Sequence, residues 1–222
     1  MKWWFVLMGL FLVSCNSTQL VDTWKNPDIS SYAPSKVFIV GLTSNIEARQ
    51  KFETELKDAL EIRGIEAMRS LDVPNLSFKS QEMTRPEMDE LETTLQNDGF
   101  DTVLFSKIIG IENKITYKKN YDGYDETYKK FGDDFLKYQD IYYNPDYYDE
   151  YSIYHAETTM HCICPKKERS LIWKGYIDIL DPRTYDKTIT NYVNLVVAVL
   201  EEYQLISPFS LNEEKTEEDV IK

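Results

Sequence analysis

Three cysteines and two histidines are the residues of this chain best suited to nucleophilic or metal-binding chemistry. Cys15 stands in LVSCNS near the amino terminus, whereas His161, Cys162 and Cys164 stand together in HCICP. A cysteine thiolate can attack a carbon centre, form a disulfide or bind a metal. The two cysteine groups lie in different sequence contexts, and each context favours a different chemistry.

Cys15 follows a segment typical of an export signal. Lys2 gives a positive start, and residues 3–13 form an eleven-residue run without a charge. This run is too short for a membrane-spanning helix, which needs about 20 residues, and it has the length of a signal-peptide core. Leu12-Val13-Ser14-Cys15 resembles the bacterial lipobox, where a lipoprotein signal peptidase cuts just before the cysteine. We predict that residues 1–14 are removed and that Cys15 carries the lipid.

The predicted anchor gives the protein a place in the cell. Two or three acyl chains hold a protein firmly, because each buried CH₂ contributes about 0.8 kcal/mol. Asn16 follows Cys15, whereas Asp at that position is the usual signal for retention in the inner membrane. We expect an outer-membrane lipoprotein that faces the periplasm. The alternative is an amino-terminal helix with an incidental cysteine.

The cysteines of HCICP allow three interpretations. Buried thiols are the favoured one, because a bridge between Cys162 and Cys164 at this spacing is strained and rare. A metal site is disfavoured, since His161 would point to the other side of a strand and no second pair of ligands is evident. We therefore expect two buried thiols and no metal.

Composition and motifs argue against several functions. The net charge of −13 provides no basic patch for nucleic acid,. The sequence has no G-x-S-x-G elbow, P-loop, H-E-x-x-H or C-x-x-C motif,. We expect a non-catalytic protein without a cofactor. A hydrolase built from some of the 38 acidic residues is the alternative that stays open.

Hydrophobic patterns predict one α/β (α+β) domain over residues 35–206. KVFIVGL is a buried strand, and a capping box from Ser44 to Glu47 begins a helix that stops at Gly64. A second capping box, from Thr84 to Glu87, begins another helix. The pattern predicts a single mixed sheet of about five strands: β-α-β-α-β, then an antiparallel hairpin and a carboxy-terminal helix. A tether over residues 15–34 and an acidic disordered tail over residues 207–222 flank this domain.

A tyrosine-rich insertion spans residues 117–150. The stretch from residue 117 to 154 holds 11 of the 16 tyrosines, mixed with acidic residues and lysines. Tyrosine suits stacking on sugars and packing in protein interfaces. The insertion could equally cover the sheet and lengthen its flanking strands. We take the following tyrosines as a candidate binding surface: Tyr142, Tyr143, Tyr147, Tyr148 and Tyr151.

Several stretches resemble a known family. TWKNPD, KVFIVGLTSNIEARQKFETELKDALEIRGIEAM, DTVLFSKIIGIENKITY, the tyrosine-rich loop and LIWKGYIDILDP are similar to small bacterial lipoproteins of the Bacteroidetes type. Their order also resembles the amino-terminal domain of TolB and the lipoprotein activators of penicillin-binding proteins. The resemblance implies a non-enzymatic envelope domain with no catalytic residues to transfer. Its partners would be the membrane, through the anchor, and another envelope protein or a glycan.

Overall fold

Six β-strands form one mixed sheet in the computed structural model of this chain, in the order β1-β6-β5-β4-β2-β3. The structure describes residues 17–30, 32–73, 82–117, 130–144, 148–164, 170–182 and 185–209. The strands are β1 (Thr18–Lys25), β2 (Lys36–Leu42), β3 (Glu66–Arg69), β4 (Thr102–Tyr117), β5 (Tyr148–Cys162) and β6 (Ser170–Leu180). The helices are α1 (Ile46–Glu61), α2 (Arg85–Asn97), α3 (Phe131–Tyr138), α4 (Asp140–Tyr143) and α5 (Tyr185–Glu202).

The sheet changes from parallel to antiparallel at β4. β2 pairs in parallel with both β3 and β4, and α1 and α2 make the crossovers. β4, β5, β6 and β1 are antiparallel neighbours. The predicted α/β class, the β-α-β-α-β order, the hairpin and the final helix are confirmed. The sheet has one strand more than the five predicted.

The additional strand is β1, which lies at one edge of the sheet. Thr18 pairs with Ile179 and Lys25 pairs with Trp173. The backbone N–H of Leu180 donates to the carbonyl of Ser17 at 2.7 Å. The tether predicted for residues 15–34 is therefore wrong over Thr18–Lys25. An edge strand has one neighbour and exposes many of its side chains, so its hydrophobic pattern is weak in the sequence.

The main core lies between the sheet and the pair of helices α1 and α5. We call this side of the sheet the helical face. Its apolar side chains pack in one continuous cluster, as the alternation of the strands and the 3.6-residue period of the helices require. The cluster includes Val37, Ile39, Phe52, Leu56, Leu60, Leu104, Met160, Trp173, Ile177, Val193, Val196 and Leu200.

A smaller core lies on the opposite side of the sheet, beneath α2. Phe38, Leu95, Phe100 and Ile163 form it, and the rings of Phe38 and Phe100 meet edge to face at 5.7 Å. α2 packs over the parallel part of the sheet, as these residues show. The antiparallel part of this side carries mainly polar side chains, and we call it the open face.

The helix starts follow local hydrogen bonding. The Thr84–Glu87 capping box is confirmed, since the Thr84 amide donates to the Glu87 carboxylate at 2.7 Å. The box predicted from Ser44 is wrong, because Asn45 is the N-cap and its side-chain oxygen accepts from the Ala48 amide at 2.9 Å. Asn is as good a cap as Ser, so the neighbouring residues compete for this position.

The predicted signal peptide, residues 1–14, and the predicted lipid attachment at Cys15 lie outside the described residues, as do residues 210–222 of the predicted tail. Just before the latter, Leu205 and Ile206 are buried in the main core. None of the helices in the described ranges is long and apolar enough to cross a membrane.

Candidate functional site

The strands β4 and β5 extend beyond the rest of the sheet as a two-stranded arm. Their pairing continues to Tyr117 opposite Tyr148, whereas β6 stops at Leu180, opposite Ile153. Residues 113–117 and 148–152 therefore form the arm, which projects about 17 Å at 3.4 Å per residue. The predicted insertion thus begins and ends in strand, which matches the interpretation that it lengthens the flanking strands.

Four of the five candidate tyrosines belong to two different elements. Tyr142 and Tyr143 lie in α4, with 81% and 76% of their surfaces exposed. Tyr151 lies in β5 on the arm, opposite Lys114, and is half-buried. Tyr148 is the first residue of β5, and Tyr147 lies outside the described residues. Helix α4 therefore presents two exposed aromatic side chains.

Helix α3 adds exposed apolar side chains that the tyrosine pattern does not indicate. Phe131 is 83% exposed, and Phe135 and Leu136 are exposed as well. The rings of Phe131 and Phe135, one helical turn apart, lie 6.0 Å from each other. The sequence signal was present in FGDDFLKY, where apolar residues recur at helical spacing. Contiguous exposed apolar side chains of this kind mark interaction sites in soluble proteins.

The open face carries a ladder of charged and aromatic side chains. The Lys107 ammonium binds the Glu157 carboxylate on the neighbouring strand and lies 4.9 Å from the centre of the Phe105 ring. Partial burial would raise the pKa of Glu157, but hydrogen bonding and the charge of Lys107 outweigh it and lower that pKa. Lys174 lies 5.3 Å from the Tyr176 ring in the same layer. The ladder holds β4, β5 and β6 together on the side without α1 and α5.

Both histidines project from the open face, as the strand alternation predicted. His155 Nδ1 lies 2.6 Å from the Asp178 carboxylate, and its Nε2 lies 3.9 Å from that of Glu112. An imidazole held by a carboxylate is the base and orienting part of a hydrolytic triad. Here the group that faces Nε2 is the Glu112 carboxylate, in the place where such a triad has a hydroxyl or thiol,. The pair orders the side chains where the arm leaves the sheet.

A buried polar cluster lies at the carboxyl ends of β2 and β3. In α/β sheets, ligands commonly bind at this edge. Here the Glu53 carboxylate, which is fully buried, is surrounded by donors from its own chain. The donors are Gly41 N at 2.9 Å, Arg49 Nε at 3.0 Å, Ser70 Oγ at 2.5 Å and Leu71 N at 3.2 Å. This cluster joins α1 to the sheet and leaves the carboxylate well satisfied.

Cys162 and Cys164 are joined by a disulfide, so the prediction of two buried thiols is wrong. That prediction assumed one extended strand through both residues. Strand β5 instead ends at Cys162, and the chain turns so that the two Cα atoms lie 5.3 Å apart, within the range of a disulfide,. Among the described residues, no group of three His, Cys, Asp or Glu side chains could hold a metal ion.

A shallow depression of about 280 Å³ lies beside the end of α5, lined by Tyr32, Ile65, Glu201 and Leu205 among others. The Tyr32 hydroxyl lies 2.6 Å from Thr102 Oγ1, and burial, aided by the charge of Asp101, raises its pKa to about 12. Glu201 accepts from Arg63 Nε at 2.7 Å. These groups fasten the 32–34 segment and the end of α5 to the domain.

Comparison with known proteins shows likeness of structure. No protein-family model matches the sequence, and no curated protein matches it. PelC from Paraburkholderia phytofirmans, solved as a dodecamer, aligns with a TM-score of 0.42 and 10% identity over 84% of this chain and 97% of PelC. Lipoprotein GNA1162 from Neisseria meningitidis aligns with a TM-score of 0.39 and 14% identity over 76% of this chain and 99% of that protein.

The chain is thus similar in structure to PelC and to lipoprotein GNA1162. At these TM-scores and identities neither a function nor an assembly is carried over. The resemblance to TolB and to the activators of penicillin-binding proteins stays a prediction.

Proposed function

We propose that this chain is a lipid-anchored, non-catalytic protein of the bacterial cell envelope that binds another envelope protein through α3 and α4. The observation that supports the binding role is the exposure of Phe131, Leu136, Tyr142 and Tyr143 on two consecutive helices. Burying such side chains in an interface releases about 25 cal/mol for each Å² of apolar surface. Aromatic residues are also the ones that most often dominate interface energies.

The anchor is Cys15, and we place the protein at the outer membrane, facing the periplasm. Labelled palmitate should enter the native protein and should be absent from the Cys15→Ala variant. Cys164→Ala is the matched control, because Cys164 is remote from the predicted lipobox in sequence and should leave labelling unchanged. Incorporation of label into the Cys15→Ala variant would contradict lipid attachment at Cys15.

The binding role is tested with exposed apolar residues inside and outside the proposed surface. The variant Phe131→Ser/Leu136→Ser should lose a partner that the native protein captures from envelope extracts after cross-linking. The control Ile62→Ser/Met83→Ser changes two other exposed apolar side chains and should retain the partner. Equal capture by all three proteins would contradict a role for α3.

Glycan binding is the second candidate, and the high exposure of Tyr142 and Tyr143 favours it. Tyrosine rings stack on sugar faces while the hydroxyl group remains hydrated. Purified sacculi should retain the native protein and release Tyr142→Ala/Tyr143→Ala, whereas Tyr185→Ala should behave as native. Tyr185 is also well exposed but lies at the start of α5. Sacculi that retain the double variant as well as the native protein would exclude this candidate.

A further inference from the structure

Strand β4 has a long backbone edge that the described part of the sheet leaves uncovered. β2 accompanies β4 as far as Lys107, which pairs with Leu42, and β5 occupies the other edge up to Tyr117. No strand in the described ranges pairs with the first edge over residues 108–117. Ile108, Ile111 and Ile115 are exposed along it, the last two by 60% and 65%. An uncovered edge with apolar side chains is a template for a further strand.

The sequence of this edge is complementary to itself in one register. In an antiparallel pair, two facing residues direct their backbone N–H and C=O groups either both toward the partner strand or both away from it. When the two strands are copies related by a two-fold axis, the axis therefore lies between the two copies of one residue. An axis at Glu112 would place two glutamates opposite each other, and an axis at Lys114 would do the same with two lysines. An axis at Asn113 places Glu112 opposite Lys114 twice and Ile111 opposite Ile115 twice.

The limits of the free edge are compatible with the same centre. A bulge between Ile108 and Gly110 interrupts the ladder at one end, and β4 ends at Tyr117. Pairing about Asn113 joins Gly110 to Thr116, so it uses seven of the eight residues in the regular segment 110–117. The charge pattern, which disfavours the axes at Glu112 and Lys114, selects Asn113 among the registers that this length allows.

We propose that two copies of this chain associate through β4, antiparallel and centred on Asn113, so that one sheet continues across both. The axis is perpendicular to the sheet, and it therefore keeps α1 and α5 of both copies on one side. Because the strands run in opposite directions, the β2 strand of the second copy lies beyond Tyr117 of the first, away from its β2. The free edge of β4 is a different surface from the one formed by α3 and α4. The inference therefore depends neither on lipid attachment at Cys15 nor on the proposed envelope partner.

The same residues also supply the main argument for a monomer. A bulge and a lysine are devices by which proteins protect edge strands from association. In the single chain, Lys114 Nζ lies 2.5 Å from the Glu112 carboxylate, so the two charges can neutralise each other without a second copy. An experiment must therefore separate pairing within one chain from pairing between two.

Exchanging the charges of Glu112 and Lys114 in two separate variants distinguishes pairing within one chain from pairing between two chains. The native protein should show a concentration-dependent dimer in sedimentation or light scattering. Glu112→Lys and Lys114→Glu, each alone, place like charges opposite each other twice and should weaken the dimer about tenfold or more. An equimolar mixture of the two variants should form a heterodimer, because every facing pair is then attractive. A monomeric native protein, or variants that dimerise as the native does, would overturn the proposal.

Cross-linking tests the centre of the register. Facing residues in an antiparallel pair have Cα atoms about 4.5–5.5 Å apart, which suits a disulfide. Asn113→Cys should therefore form a covalent dimer under a mild oxidant, and Glu61→Cys, exposed on α1, should not. Equal cross-linking of the two variants would reject the Asn113 axis. Phe131→Ser/Leu136→Ser should still dimerise, so failure of the proposed envelope interaction and failure of this inference are distinguishable.

Discussion

Arg49 and Glu53 form an ion pair one turn apart on the buried side of α1, with 3.0 Å between Arg49 Nε and Glu53 Oε1. The same carboxylate accepts from the backbone N–H of Gly41, near the end of β2, and from that of Leu71, just after β3. The pair therefore fixes α1 against the ends of two parallel strands. A buried charge that loses its partner is costly, whereas an exposed one is not.

Glu53→Gln should lower the free energy of unfolding by about 3 kcal/mol or more, because it removes the charge of a fully buried carboxylate that pairs with the Arg49 guanidinium,. Glu55→Gln removes an equivalent i,i+4 pair with Lys51 on the accessible side of α1. This control substitution should lower the free energy of unfolding by less than about 1 kcal/mol. Urea unfolding of the three proteins measures the difference. Similar losses in both variants would show that burial of the Arg49 pair has no special importance.

Gly175→Ala should destabilise the protein by about 1–3 kcal/mol through overpacking. A Cβ at this position would lie 2.6 Å from the Trp173 ring, which is fully buried and whose Nε1 donates to Thr23 on β1. Gly132→Ala, in α3, meets nothing within 4 Å and should stabilise the helix by up to about 1 kcal/mol,. Thermal unfolding should shift in opposite directions for the two variants. An unchanged unfolding temperature for Gly175→Ala would mean that the Trp173 ring can move without loss of stability.

Tyr192→Phe should cost about 1–2 kcal/mol, because it breaks a buried chain of hydroxyl groups. Thr158 Oγ1 lies 2.7 Å from Tyr192 Oη and 2.6 Å from Ser106 Oγ. Burial raises the pKa of Tyr192 to about 12, so the phenol keeps its proton at neutral pH. Tyr185→Phe, at an exposed site, should leave the urea midpoint unchanged. A Tyr192→Phe midpoint equal to that of the native protein would contradict the role of this network.

Stability should fall as the pH decreases through the titration of His161. Burial and the charge of Lys107 lower its pKa below the usual 6.5, and the opposing influence of Glu157 and Glu92 is weaker. The unfolded chain therefore binds this proton first. The loss begins as the pH drops below 6.5 and is complete below the folded-state pKa, with a slope of at most about 1.4 kcal/mol per pH unit,.

His161→Gln should remove this part of the pH dependence. Urea unfolding between about pH 7.5 and about pH 5.5 should show a smaller loss of stability for the variant than for the native protein. The native-minus-variant difference isolates His161, because the two proteins differ only at this residue. Parallel curves would show that His161 titrates alike in the folded and unfolded chains.

Much of the fold could be predicted from periodicity and capping. α5 shows why, since its apolar residues recur at helical spacing from Ile189 to Leu200 and nearly all of them are buried. Thr84 and Glu87 likewise carry a local signal for the start of α2. These features depend on residues close together in the sequence, so no tertiary information is needed to recognise them.

The features that escaped prediction depend on residues distant in sequence. The polar strand β1 gains its place from pairing with β6, about 150 positions later. The burial of Arg49 and Glu53 was not predicted, because charged residues are rarely buried unless they are paired,. Ser70 and the strand ends that complete their surroundings cannot be read from α1 itself. Met88 shares helical spacing with Leu91 and Leu95 but is exposed, because α2 covers only the parallel part of the sheet.

The candidate site likewise combines features that the local sequence predicts with features that depend on distant residues. The insertion could be located by its composition, but the exposed apolar side of α3 lay hidden among the tyrosines. The disulfide between Cys162 and Cys164 depends on where β5 ends, and strand ends are poorly defined by sequence patterns. The free edge of β4 follows from the short length of β2, which is a relationship between strands and not a motif.

The bond between Ser17 and Leu180 has a consequence for the encounter of anchored molecules. Cys15 stands two residues before Ser17. If Cys15 carries the lipid that we propose, covalent geometry allows at most about 7 Å between the acylated cysteine and the ordered domain. Molecules held so closely to one lipid surface share a layer scarcely thicker than a single domain. Confinement of this kind raises the effective concentration far above that of the same number of molecules in free solution. A dimer that is weak in the test tube would then be well populated at the membrane.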